Sequence, residues 1–485
     1  MTSTTQNTQA DTQGHLAHSK AADTQDGLRG EITRPIVVTF LGAGSGFCPN
    51  LCRDVLMIPG ADRGEFRLVD IDTDRLGTMQ KVVENIIDKT GRLEGWRVSA
   101  TTDRREALPG TTYAICCVEV SGVECVAWDN DIPLKYGVDQ CIGDTIGPGG
   151  LFKGLRTIPV FLDILRDMVE LCPQAMMLNY TNPMNMMCLA AGRAVPQVPV
   201  VGLCHSVQGT SHLLAEFANV RCEQMHWACA GINHLAWFTK LQHAGEDLYP
   251  QLMKKFEQEI YGQSDIDRAE ADLIRKDICL HFGAFVTESS GHFSEYLPYY
   301  RHSDAGKAYL GKAYHGGSRF YASQWPGWRR DADAHRMKLV SGEKQVDLER
   351  SWEYASWIIE ACEKDAGFQI HGNVMNTASD APGEAGKLIT NLPGDGCVEV
   401  ACLVNRNGIQ PTRYGALPPQ MAHLCASNMA VFDLAATAAI ERSKEAAIHA
   451  LLLDPLTSAC CTPRQIKSMA LELFEAEKDF LTGYR

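Results

Sequence analysis

The chain has 485 residues, 45% of them hydrophobic and 21% charged, with a formal net charge of −14. That length exceeds what one compact core holds and points to two packed lobes. An acidic chain without a long Lys/Arg run excludes nucleic acid and anionic membrane as partners.

Residues 1–33 are polar and lack an apolar core, so they read as a disordered tail rather than a signal peptide. Order begins at Ile36. The run Ile36 to Leu41 is a buried strand that leads directly into Gly42-Ala43-Gly44-Ser45-Gly46. A second strand, Phe66 to Val69, ends at Asp70, and a helical segment follows from Arg75 to Thr90. Further strands are expected at 98–101, 113–118 and 175–178, with a helix over 157–171. Strands alternating with helices predict a parallel sheet covered on both faces. After about Val201 the pattern changes. Strands at 200–203 and 237–241 mix with helical stretches at 348–366 and 419–453. The expected organisation is a Rossmann-like dinucleotide-binding domain over 34–200 and an α+β substrate, metal and oligomerisation domain over 201–485. No apolar run reaches the roughly 18 residues that cross a bilayer. The eighteen cysteines are scattered, with adjacent pairs at Cys116–Cys117 and Cys460–Cys461, so the thiols read as reduced and the compartment as cytoplasmic.

The strand–Gly42-x-Gly44 junction is the first half of a dinucleotide fingerprint. Gly42 permits the tight turn, Gly44 lets backbone approach a pyrophosphate, and Ser45 lies in the same loop. Phe47 stands where a third glycine is usual. Asp70, 26 positions after Gly44, is placed to accept ribose hydroxyls, which favours NAD over NADP; its bland reading is a turn residue. Cys204 in Gly-Leu-Cys-His-Ser-Val and His234 in Gly-Ile-Asn-His are a soft and a borderline donor able to share a divalent ion, although buried Cys and His commonly bind nothing. Asn182 follows a strand end, where ligands of parallel sheets bind, so its amide is placed to reach the nicotinamide ribose or a substrate hydroxyl. Asp144 is the one carboxylate in a glycine-rich loop, and Tyr296, Tyr299, Tyr300 and Arg301 crowd the segment 287–301.

Together these motifs resemble the family-4 glycoside hydrolases. The resemblance runs from about residue 36 to the C-terminus through Asp-Thr-x-Gly-Pro-Gly-Gly (144–150), Asn-Tyr-Thr-Asn-Pro (179–183), Gly-Leu-Cys-His-Ser (202–206), Gly-Ile-Asn-His (231–234) and Gly-His-Phe-Ser-Glu-Tyr (291–296), then Asn-Leu-Pro (391–393), Val-Glu-Val (398–400) and Asp-Pro-Leu (454–456). It implies an α/β, lactate/malate dehydrogenase-like fold, an N-terminal Rossmann-like parallel sheet with a mixed α+β C-terminal lobe, assembled as a homodimer or homotetramer. The implied chemistry lies outside the two-carboxylate scheme. NAD⁺ takes hydride from C3 of an α-glycoside, a base removes the C2 proton, the glycosidic oxygen leaves, water adds and the hydride returns. Mn²⁺ or another divalent metal is implied at Cys204 and His234. Tyr296 matches the base, its phenol needing a cation such as the metal or Arg301 to lower it. Asn182 and Arg301 are expected near substrate. His205 replaces the acidic residue of phosphosugar enzymes, leaving His205 and Asp144 as candidate acids. Cys-His-Ser-Val (204–207) resembles the α-galactosidase subgroup, with α-galacturonidase and α-glucosidase subgroups differing at the position of Ser206. Two other readings are a 2-hydroxyacid-type NAD dehydrogenase, which needs neither Cys204 nor His234, and a non-enzymatic NAD-sensing protein, which leaves segment 287–301 unexplained.

Overall fold

The computed structural model describes residues 27–262, 265–377 and 386–485. Six parallel strands form the first half of the sheet: β1 (Ile36–Leu41), β2 (Gly64–Val69), β3 (Trp96–Thr101), β4 (Tyr113–Cys116), β5 (Met176–Asn179) and β6 (Val200–Gly202). They lie in the order β3-β2-β1-β4-β5-β6, the doubly wound arrangement whose ligand crevice opens beyond the carboxyl ends of β1 and β4. β1, β4 and β5 are almost wholly buried, because helices cover both faces of a parallel sheet. Those helices include α1 (Phe47–Leu56), α2 (Thr73–Lys89), α3 (Val123–Lys135), α4 (Gly147–Leu171), α5 (Met184–Ala194) and α6 (Ser206–Ala218). Asp72 caps α2 by accepting from Arg75 N.

α4 begins at Gly147, not Thr157 as the sequence suggested. The glycine-rich stretch is the helix's own first turn. A Cβ on Gly149 would stand 2.4 Å from Gly143 O, and one on Gly150 2.5 Å from the Thr145 carbonyl carbon. These glycines let the loop bearing Asp144 fold tightly onto the helix start.

The sheet does not stop at β6. β7 (Met225–Ile232) and β8 (Leu235–His243) form a hairpin, followed by β9 (Glu246–Asp247), β10 (Phe285–Val286), β11 (Phe368–Met375), β12 (Cys397–Asn405) and β13 (Gly408–Pro411). β11 pairs antiparallel with β6 at Asn373↔Gly202, and β12 with β7 at Glu399↔Gly231, so one thirteen-stranded sheet runs through both halves. The expected boundary after residue 200 falls inside β6. Later helices include α7 (Phe320–Ser341), α8 (Tyr354–Lys364), α9 (Pro419–Glu441) and α10 (Lys444–Leu453). The expected helix over 419–453 is divided at Arg442, whose backbone is left-handed at φ +57°. α9 has the length and composition of a membrane span, but Met421, Leu424, Val431, Phe432 and Ala435 are buried in the core against α4 and α5.

Of the polar segment 1–33, residues 1–26 lie outside the described residues. Residues 27–33, expected to be disordered, are docked: Leu28 N donates to Glu360 Oε1 (2.7 Å) and Lys364 Nζ to Leu28 O (3.0 Å). At the far end of the chain, buried Arg156 on α4 pairs with Asp129 (2.6 Å) and Glu477 (2.7 Å), fixing the C-terminal helix; stripping one member of such a buried cluster costs about 3–5 kcal/mol. All eighteen cysteines are free thiols.

Candidate active site and metal centre

The glycine loop closes on the crevice from the β1 side. Gly42 has φ +83°, and a Cβ there would meet Cys117 O at 2.6 Å, so only glycine fits where the loop passes the end of β4. Asp70 Oδ2 accepts Gly44 N (2.7 Å) and Oδ1 accepts Asp72 N (2.9 Å). Its first task is therefore to shape the loop, and each oxygen keeps a lone pair for a ribose hydroxyl. Ser45 Oγ accepts Phe47 N (3.3 Å), turning the loop into α1. Phe47, in place of the third glycine, is 38% exposed and packs on Tyr180 at 5.5 Å, next to the Asn182 turn.

Cys204 follows β6, and His234 sits in the two-residue turn joining β7 to β8. Cys204 Sγ is 3.4 Å from His234 Nε2. Glu288, just past β10, brings Oε2 to 3.5 Å from the same nitrogen. Donor atoms of Cys204, His234 and Glu288 all lie within 4.8 Å of one another. His234 and Glu288 both hold left-handed backbone, φ +63° and +72°, a strain of about 1–3 kcal/mol per residue that accumulates at functional sites. Burial pushes the His234 imidazole down to about 4, keeping it neutral with a lone pair free for a ligand. Burial, with Glu399 and Glu288 nearby, pushes the Cys204 thiol well up. A cation between these groups would favour the Cys204 thiolate and bind the lone pair of the neutral His234 imidazole, and a thiolate–imidazole–carboxylate set suits a borderline divalent ion.

Beside this cluster runs a chain of hydrogen bonds. Tyr296 OH donates to Thr145 Oγ1 (3.0 Å), which lies 2.7 Å from His292 Nε2. His292 also faces Asp144 Oδ1 (3.4 Å) and Glu288 Oε1 (3.8 Å). Burial opposes its charge, yet the bond to Asp144 and the charge of Glu288 raise it to about 9. Burial likewise works against Asp144, but His292 and Lys153 hold it well below the usual carboxylate range. Glu288 falls to about 2 against its burial, under His234 and His292. With His234 neutral, the cation acting on Glu288 at pH 7 is His292. Asn182 Nδ2 donates to Asp144 Oδ2 (3.1 Å), and Lys153 Nζ stands 3.9 Å from that oxygen and 2.9 Å from Glu119. Glu295 is not a free acid: its carboxylate accepts Cys141 N and Ile142 N (both 2.7 Å) and Gly143 N, setting the loop that carries Asp144 and Thr145.

The structure thus brings Asp144, Asn182, Cys204, His234 and Tyr296 together, with His205 at the mouth, 65% exposed and 3.6 Å from Glu353. Arg301 it does not. That side chain is fully buried and donates to Asp139, Ser294 Oγ and Gly316 O, none of which belongs to the cluster. The Tyr296 phenol is raised, not lowered, chiefly by burial, with Asp144 and Glu295 adding to it. Sequence reasoning assigned no role to Glu288, His292, Thr145 or Lys153. One signal was there: Glu288, His292 and Tyr296 recur every four residues, the spacing that puts side chains on one face of a helical turn.

Fold and site define a class of protein: a doubly wound sheet whose nucleotide-type loop and thiolate–imidazole–carboxylate cluster open on the same strand ends. The description of family 4 glycosyl hydrolases matches residues 37–220, and that of the family's C-terminal domain matches residues 229–457; the chain belongs to this family. It is 37% identical to an α-galactosidase of Bacillus subtilis (strain 168) over 452 residues, covering 92% of this chain and 99% of that protein. It is 36% identical to an α-galactosidase of Rhizobium meliloti (strain 1021), covering 92% and 89%. A 6-phospho-α-glucosidase from gut microorganisms, solved with NAD and Mn²⁺, shares the fold with a TM-score of 0.74 at 21% identity, covering 92% of this chain and 99% of that one.

Proposed function

We propose that the protein is an NAD⁺- and Mn²⁺-dependent glycosidase that cleaves unphosphorylated α-galactosides in the cytoplasm, as a homodimer or homotetramer. The observation that carries this reading is the meeting of Cys204, His234 and Glu288 beside the Tyr296–Thr145–His292 chain, at the strand ends that also carry the glycine loop. Cys-His-Ser-Val at 204–207 and the two α-galactosidase relatives support the choice of sugar.

Cys204 and His234, with Glu288 alongside, would hold the metal; Gly42, Gly44, Ser45 and Asp70 would hold the nucleotide. When bound, the two supply reversible hydride acceptance at C3 and stabilisation of negative charge next to C2. Tyr296 takes the C2 proton, and its bond to Thr145 fixes the phenol's direction. A phenol raised by burial is a poor base, so a nearby divalent charge is what brings it into range. Asn182 and Asp144, bonded to each other, orient sugar hydroxyls. His205, solvent-exposed and backed by Glu353, delivers a proton to the leaving oxygen. A reducing compartment suits a site that depends on a free Cys204 thiol.

A chromogenic α-galactoside assayed with and without NAD⁺, Mn²⁺ and a thiol reductant tests the reading. Turnover should need all three and leave no net NADH. Net NADH accumulation would return the dehydrogenase reading, and a clear preference for α-galacturonides or α-glucosides would move the sugar assignment to Ser206's alternatives.

A further inference from the structure

Five aromatic rings beside the site are untouched by the chemistry above: Tyr314, Phe320, Tyr321, Trp325 and Trp328. Tyr314 and Trp328 stack 6.3 Å apart at 9°, and Tyr321 lies 5.4 Å from Trp328 and 5.9 Å from Trp325. None reaches the core: Tyr314 is 43% exposed and the other four are half-buried. Packed on one another, the rings still leave part of their surface exposed.

Backbone bonds tie this face to the site. Arg319 N donates to Gln140 O (2.7 Å) and Tyr321 N to Cys141 O (3.0 Å), both in the stretch leading to Asp144. A Cβ on Gly291 would stand 2.5 Å from Tyr314 O, so residue 314 passes directly over the turn between Glu288 and His292. The charges agree: after burial, Asp144 and then Tyr314 and Glu288 raise the Tyr321 phenol. The rings therefore stand beside the segments that carry Asp144, Glu288 and His292.

We propose that Tyr314, Tyr321 and Trp328 form the subsite for the leaving saccharide, a second sugar ring whose C–H face lies on the aromatic wall. This rests on the glycosidase reading. Residues 311–328 include no Leu, Ile, Val or Met, and the rings alternate with Ser318, Arg319, Ser323 and Gln324. Flat rings with polar neighbours match a sugar, which is apolar on one face and hydroxylated around its edge. A partner subunit seated here would close the mouth of the site, so it is the rival occupant.

The test compares a galactosyl–hexose disaccharide with methyl α-galactoside, which has no second ring, on holoenzyme loaded with NAD⁺ and Mn²⁺. Trp328→Ala should lower kcat/KM about tenfold on the disaccharide, mostly through KM, and stay within about twofold on the methyl glycoside. Trp328→Phe should recover most of the loss, and light scattering should show an unchanged oligomer. Equal losses on both substrates, no loss on the disaccharide, or a smaller oligomer in the Ala variant would overturn the assignment. If wild type rejects galactosides but cleaves another α-hexoside, the sugar reading fails and the same ratio is read on that sugar's pair. A wild type that cleaves no α-glycoside sinks both.

Discussion

The parallel half of the sheet and the antiparallel half solve different problems. The parallel half builds its nucleotide loop from backbone, with Gly42 at φ +83° against Cys117 O, Gly44 N on Asp70 and a helix start at Phe47, and it adds the side chains of Asp144, Thr145 and Asn182 to the site. The antiparallel half builds from side chains held by strand register, with His234 in the β7–β8 turn and Glu288 delivered by the pairing of β10 with β8. Cys204, at the end of β6, stands on the seam between them. A backbone cradle tolerates sequence drift outside its glycines. A donor cluster tolerates almost none, because each member is needed at one distance.

Breaking the side-chain cluster should therefore cost most. Cys204→Ser and His234→Ala are expected to lose bound metal, read by elemental analysis, and turnover should fall to background while NAD⁺ binding persists. Normal metal content in either variant would remove the cluster from the mechanism. Next comes Tyr296→Phe. Losing a positioned base costs about 10²–10⁴-fold in rate, with NAD⁺ and metal still bound. Product formed by wild type in D₂O should carry deuterium at C2, and its absence would argue against proton abstraction there. The backbone half is broken by Gly42→Ala. A left-handed, non-glycine backbone costs about 1–2 kcal/mol, and the clash with Cys117 O adds to it. NAD⁺ affinity should weaken by roughly 10- to 100-fold, with metal content unchanged. Equal losses of metal and nucleotide would mean that the two halves are not separable.

This division explains what was legible in the sequence. Ile36 to Leu41, Gly42 and Asp70 follow one another in a local pattern, and the strand, turn and following helix could be read from it, though not the cap at Asp72. Cys204 and His234 stood out by residue type as donors able to share an ion, with binding nothing the commoner reading, and the resemblance is what singled them out as ligands. For Glu288 the four-residue recurrence with His292 and Tyr296 was the one local signal, and its meeting with Cys204 and His234 needed the β10–β8 register. Arg301 shows the limit from the other side: it shares the dense 287–301 segment, yet its side chain turns inward to Asp139, and side-chain direction is a product of packing. α7 was hidden by Trp325-Pro326-Gly327-Trp328, where Pro and Gly signal a break, although the helix runs through them from Phe320 to Ser341.

The smallest expected effect separates two imidazoles of the antiparallel half by pH. His292 gains Asp144 and Glu288 as partners only on folding, so its folded value of about 9 lies above the ~6.5 of an unfolded chain. The stabilisation it contributes is fully present below ~6.5 and is lost as pH rises through 9, and a gap of this size is worth on the order of 3 kcal/mol. His234 works in the opposite direction. Pushed down to about 4, it contributes stability above ~6.5 that disappears as pH falls towards 4. Metal-stripped protein should accordingly be most stable near neutrality. The two groups are separated by following the melting temperature of metal-free wild type and His292→Gln from about pH 6 to 10, a range in which folded His234 stays neutral and its unfolded titration is common to both proteins. The gap between the two proteins should be widest at the acid end and close as pH passes 9. A constant gap would mean that His292 acts by packing alone, and that the charge chain from Asp144 to Glu288 adds nothing to holding the seam.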